Sequence, residues 1–187
     1  MADFWANPGT EPKRIYRWLM RFANNGPNGI AEYMVKKVSR PSWSVSESTH
    51  QFLNHTFYYP GRVEYDEMSV TIVDSISPNG AIVMRNILAN AGYVLPRDAE
   101  TNHQTISKAG YVAQAGLGAI QLTQLDQDGK QLERYLLHNA WIKNCNLNEV
   151  DYESDDLLNI DITLRYDYFT MDSQRNSEPQ IDSSYAS

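Results

Sequence analysis

The 187-residue sequence has a single cysteine, Cys145. No intrachain disulfide framework and no cysteine-based zinc cage can be built from it, and production and assembly in a reducing compartment are expected. It has no apolar run near the ~18 residues that a membrane-crossing helix needs. The opening residues MADFWANP do not read as a signal peptide. Basic residues are in deficit, sixteen against twenty-three acidic, for a net charge of −7. Phosphate gripping depends on Lys and Arg, so such a chain is a poor nucleic-acid binder. What it does carry is 42% apolar and 11% aromatic residues, with twelve Tyr and four Trp against five Phe. That is enough to build a core, and it favours large side chains that keep a polar tip near water.

Charge is unevenly spread. Residues 1–50 hold seven basic and four acidic side chains, residues 51–120 four and six, and residues 121–187 five and thirteen. One copy's basic end can thus meet another copy's acidic end, or the charges simply solubilise the surface.

Residues 1–12, with Pro8, Gly9 and Pro12, read as an extended arm ahead of a single β domain over 13–171. In KRIYRWLMRF (13–22), Tyr16, Trp18, Met20 and Phe22 share one parity, as a strand facing a core requires. The cluster Asn24–Gly29 is a turn, Ile30–Val38 is a second strand or a helix ending before Pro41, and 42–60 is a long aromatic-rich connection or a hairpin. RVEYDEMSVTIVD follows as a strand bulged at Asp66-Glu67. Ser77-Pro78 marks a helix entry, Ser as N-cap and Pro at the first helical position. The stripe Ile82, Val83, Ile87 and either Leu88 or Ala91 runs to a stop at Gly92.

Residues 95–116 form a loop, bare or carrying one short helix. Strands at 119–125 and 131–141 flank the turn Asp126–Gly129, and a loop passes through Asn144, Asn146 and Asn148. Leu158, Ile160, Ile162, Leu164, Tyr166 and Tyr168 alternate with Asn159, Asp161, Thr163, Arg165 and Asp167, reading as one strand of about twelve residues, twice the usual length. Such a strand needs neighbours on both edges and a packed layer beneath one face. The fold class is therefore mainly β, a sandwich or barrel with one helix plugging an open end. Edges left open invite pairing with other copies, and a closed ring satisfies them. After Met171 the composition turns polar, and 172–187 reads as a flexible tail.

No constellation carries catalysis. His50 and His55 lie five apart without metal-site spacing. Asp126-x-Asp128-Gly129 opens like a calcium loop, but Leu137 stands where the closing Glu belongs. Asp151, Glu153, Asp155 and Asp156 read as a solvated turn, and no G-x-S-x-G, P-loop or G-x-G-x-x-G is present. Neither catalytic residues, metal nor cofactor is expected.

Two segments carry a resemblance. FYYPGRVEYDEMSVTIVDS (57–75) and NAWIKNCNLNEVDYESDDLLNIDITLRYDYF (139–169) resemble the tube proteins of contractile-tailed bacteriophages, and the likeness in element order covers about 13–171. It departs in the arm, in 93–117 and in the tail. The resemblance implies a two-sheet barrel-like subunit closing into hexameric rings that stack as the tail tube of a virion, assembled in the host cytoplasm. Related rings serve type VI secretion and other injection machines. It implies as partners further copies of itself, a tail sheath protein, and baseplate and tail-terminator proteins, with DNA passing through unbound. A sliding channel needs a wall that does not hold phosphate. Asn159, Asp161, Thr163, Arg165 and Asp167, or the polar face of 119–125 with Gln121 and Thr123, are the expected lining, with Arg165 in need of an acidic partner. Trp43, Phe52, Phe57, Tyr58 and Tyr59 are expected at contacts between subunits or rings. A soluble β-sandwich module binding a ligand or protein is the alternative from another class.

Overall fold

The computed structural model describes residues 12–23, 29–98, 103–113, 116–153 and 155–173. The expected arm lies outside these but for Pro12, the expected tail but for Asp172 and Ser173, and the turn at 24–29 but for Gly29. In chain order the strands are β1 (Trp18–Phe22), β2 (Val35–Val38), β3 (Trp43–Phe52), β4 (His55–Tyr65), β5 (Met68–Val73), β6 (Ile120–Leu125), β7 (Gln131–His138), β8 (Trp141–Asn146), β9 (Asn159–Arg165) and β10 (Tyr168–Ser173). Two α-helices, α1 (Gly80–Asn90) and α2 (Lys108–Val112), lie between β5 and β6. The strands pair antiparallel as β1-β6-β7-β10, as β2-β5-β9-β8, and as the separate hairpin β3-β4.

The two four-stranded sheets share one core. Met20 and Phe22 of β1, Ile120 and Leu122 of β6, and Tyr135 and Leu137 of β7 supply one side. Met68, Val70 and Ile72 of β5 meet Ile160, Ile162 and Leu164 of β9 on the other, and Val83, Met84 and Ile87 of α1 join the same cluster. Period-two alternation puts every second side chain inside, so each sheet keeps an outward polar face. The mainly β, two-sheet class is thus observed. Tyr16 is a correction: it lies in a turn before β1 and is exposed, leaving Trp18, Met20 and Phe22 as the inward set.

The twelve-residue strand is two strands in different sheets. β9 ends at Arg165, the chain turns at Tyr166-Asp167, and β10 pairs with β7. Tyr166 stays buried through the turn, which is why the apolar alternation runs on unbroken across a corner. The facing chain turns at the same level: β7 ends at His138, Asn139 takes φ 56°, and β8 starts at Trp141 in the other sheet. The Asp167 N–H donates to the His138 carbonyl and ties the two corners together (3.1 Å). Asn144 and Asn146, expected in a loop, belong to β8.

Two further boundaries differ. The Asp66-Glu67 slip is the break between β4 and β5, which lie in different sheets, rather than a bulge within one strand. The helix begins at Gly80 with Asn79 as N-cap, its side chain accepting from the Ile82 N–H at 3.0 Å. Asp74 accepts from the Gly80 N–H at 2.9 Å, so a second side chain satisfies the first turn and Ser77 is displaced from the role.

Candidate assembly surfaces

The aromatic-rich connection is a hairpin that stands clear of the core. All ten residues of β3 are exposed, as are nine of the eleven in β4. Cross-strand register sets His50 opposite Phe57, Phe52 opposite His55 and Ser48 opposite Tyr59. One face of the distal half therefore carries five rings, with His55 and Phe57 edge to face at 4.6 Å. Tyr58 points to the opposite face, and Trp43 sits at the base across from Tyr65. Leu53 forms the tip at φ 52° with 89% of its surface in water. Gly61 is required by a bulge here, since a Cβ would lie 2.8 Å from the Ser46 carbonyl oxygen. A two-stranded ribbon is marginal by itself, and rings left in water favour a partner. Leu53, Val45 and Val63 extend this apolar surface beyond the five expected residues.

The expected channel residues fall on two surfaces. Asn159, Asp161, Thr163 and Arg165 lie on the outward face of β9, while Gln121 and Thr123 lie on the outward face of β6 in the other sheet. Because both inward faces feed one core, these two polar faces point away from each other. On the first, the cross-strand row Lys37, Thr71, Asp161, Asn146 runs from border to border, beside Ser69, Thr163 and Asn144. The face of β6 mixes leucines with charges: Leu19 and Arg134 flank Thr123, and Arg21 and Leu136 flank Gln121.

The charges of β9 itself are matched locally. Asp161 accepts from the Thr71 hydroxyl at 2.6 Å and the Asn148 amide at 2.9 Å, which hold its carboxyl below the usual range. Arg165 finds its acidic partner in Glu67 at 3.8 Å, and Glu67 also takes Lys143. Glu67 was hidden within the β4–β5 break. Asp167 is drawn into the corner, where Lys108 of α2 donates to both its oxygens (2.5 and 2.6 Å) and Asn139 adds a third bond (2.8 Å). Lys108 and Asn139 lower its pKa.

Among the described residues no group of His, Cys, Asp or Glu could hold a metal, and no helix is long and apolar enough to cross a membrane. Asp126 closes its hairpin turn by accepting from the Asp128 and Lys130 N–H groups, with Gly129 at φ 75°. His50 and His55 sit within the ribbon's aromatic face.

No family model matches the sequence, and no curated protein gives a significant match. Solved structures do match. A chain in the cryo-EM structure of the anti-feeding prophage cap, a tube-terminating cap, superimposes with a TM-score of 0.63 at 14% identity, over 92% of this chain and 99% of that one. A chain of the anti-feeding prophage baseplate, 6-fold symmetrised, gives 0.61 at 16% identity, over 89% and 99%. One from the extended sheath–tube complex of the extracellular contractile injection system PVC gives 0.59 at 16%, over 88% and 94%. The fold is that of chains in contractile injection assemblies. The likeness spans nearly the whole of each matched chain.

Proposed function

We propose that this chain is a structural tube subunit of a contractile tail, closing into hexameric rings that stack around a channel. The observation that carries the reading is the β3-β4 ribbon: a paired, aromatic-faced arm with no core of its own, on a fold shared with chains of contractile assemblies. Such an arm gains its stabilisation by lying against another copy, in the same ring or the next. Trp43, Phe52, Phe57, Tyr58 and Tyr59 make that contact. The outward face of β9, with Asn159, Asp161, Thr163 and Arg165, lines the channel. The outward side chains of β9 are all polar and their charges are already paired, so a passing polyanion finds few unmatched cations along the strand. Asp167 marks its rim at the sheet corner. The face of β6 with Gln121 and Thr123, mixed with leucines, suits cover by protein such as a sheath.

In a phage the channel delivers DNA, and the partners are sheath, baseplate and terminator proteins of the virion tail. A tube of an extracellular injection machine is the second reading, favoured because the matched structures come from such systems. Negative-stain microscopy of the purified chain tests the proposal. Rings or tubes are the expected outcome, and removal of residues 46–56 leaves folded subunits that no longer build long tubes. Dispersed monomers stabilised by a small ligand would instead favour a soluble binding module and overturn it.

A further inference from the structure

Resting on the tube reading, the inference concerns how one subunit holds the next within a ring. At one border of the sandwich the edge strands β1 and β2 leave a groove of about 410 Å³. Its floor is apolar, with Trp18, Val38 and Leu122, and its rim is basic. Lys13 and Arg40 on that rim are already tied to Glu133. Arg14, Lys36 and Lys37 have no carboxylate within ion-pair distance among the described residues, so three cations flank an apolar trough without a direct ion pair, Lys36 reaching only the Asn159 amide oxygen at 3.4 Å.

The opposite border has the complementary chemistry. The chain leaving β8 carries Glu149, Asp151 and Glu153 around two bare anchors, Val150 (84% exposed) and Tyr152 (fully exposed). Asn148 fixes the root of this segment by donating to the Asn159 carbonyl at 3.0 Å and to Asp161 at 2.9 Å. The two features also stand at one level. Lys37, Thr71, Asp161 and Asn146 form one cross-strand row, with Lys37 at the β2 border and Asn146 at the β8 border, where the acidic segment begins.

We infer that the β1/β2 groove receives the Glu149–Glu153 segment of a second copy of this chain, with Tyr152 and Val150 in the trough and the carboxylates on Arg14 and Lys37. Charge complementarity selects the occupant, because the same segment on its own subunit lies across the sheet. Groove and segment are different surfaces, so the contact is head to tail. Their shared level means each step around the axis brings little rise, which closes a flat ring instead of a helix. The lopsided charge of the chain, basic at the start and acidic at the end, is then an assembly device.

Reversed charges test it. Arg14→Glu with Lys37→Glu reverses the groove; Glu149→Lys with Glu153→Lys reverses the segment and keeps the Asp151 bond to the Glu153 N–H. All four side chains are exposed, and thermal melts check that each variant folds. In light scattering at near-physiological salt each variant alone runs as a monomer, while an equimolar mixture recovers rings, since every groove then finds an oppositely charged segment. Rings from either variant alone, or no rescue on mixing, overturn the groove contact and leave the tube reading standing. Wild-type chain that stays monomeric at all concentrations overturns both.

Discussion

Strands β9 and β3 show how differently two strands of one chain are surrounded. β9 lies between β5 and β8, and its Ile160, Ile162 and Leu164 are at most 2% exposed. β3 is longer and richer in aromatics nearby, yet it has one neighbour and every residue in water. Apolar content alone does not make a core. A strand buried like β9 needs partners on both edges and a layer beneath it, and among the described residues β3 has neither.

Substitutions on the two strands should therefore separate folding from assembly. Ile160→Ala removes a wholly buried side chain between the sheets and should cost about 2–5 kcal/mol, read as a lower urea midpoint. Phe57→Ser, in a residue 42% exposed, should change folding stability by less than about 0.5 kcal/mol and yet abolish tubes under the microscope. If Phe57→Ser unfolds as readily as Ile160→Ala, the ribbon belongs to the cooperative core and the contrast between the strands is wrong.

The sequence revealed the parts of this contrast that rest on period. The inward rows of β1, β5, β6 and β9, the Asp126–Gly129 turn and the existence of α1 all follow from alternation, turn chemistry or an apolar stripe. It concealed the sheet corners. Tyr166 remains buried where the chain changes sheets, so the hydrophobic pattern has no gap at the point where the hydrogen-bonding partners change. The ribbon was half legible: a hairpin was one of two readings of residues 42–60, but its residues alternate weakly, and exposure rather than periodicity identifies it as a surface. The ionic partners of Arg165 and Asp167 come from residues 98 and 59 positions away respectively, distances that only the fold closes.

A second pair of regions, the outward faces of β9 and β6, can be told apart by labelling. In a Cys145→Ser background, Thr163→Cys on β9 should lose nearly all reaction with a maleimide too bulky for the channel once tubes form, and regain it when they dissociate. Removing Cys145, a free and exposed thiol, keeps the assay clean. Thr123→Cys on β6 should remain reactive in bare tubes. The reverse outcome would exchange the two faces, making β6 the channel wall and β9 the covered surface.

The smallest effect separates the two carboxylates from the rest of the surface. Asp161 is held below the ordinary carboxylate range by Thr71 and Asn148, and Asp167 by Lys108 and Asn139, whereas in the unfolded chain both return to about 3.9. A depressed folded-state pKa stabilises the native form above the unfolded value. That stability disappears as pH falls through the folded value, because the unfolded state takes up protons first. The urea midpoint should hence drop between neutral pH and about pH 3, and Asp161→Asn and Asp167→Asn should each flatten that drop while lowering the neutral value slightly. Both groups are solvent-exposed, so the change is modest and shrinks with added salt. Should both variants keep the full wild-type acid dependence, these hydrogen bonds do not bias protonation, and Asp161 on β9 and Asp167 at the corner carry their charges unanchored.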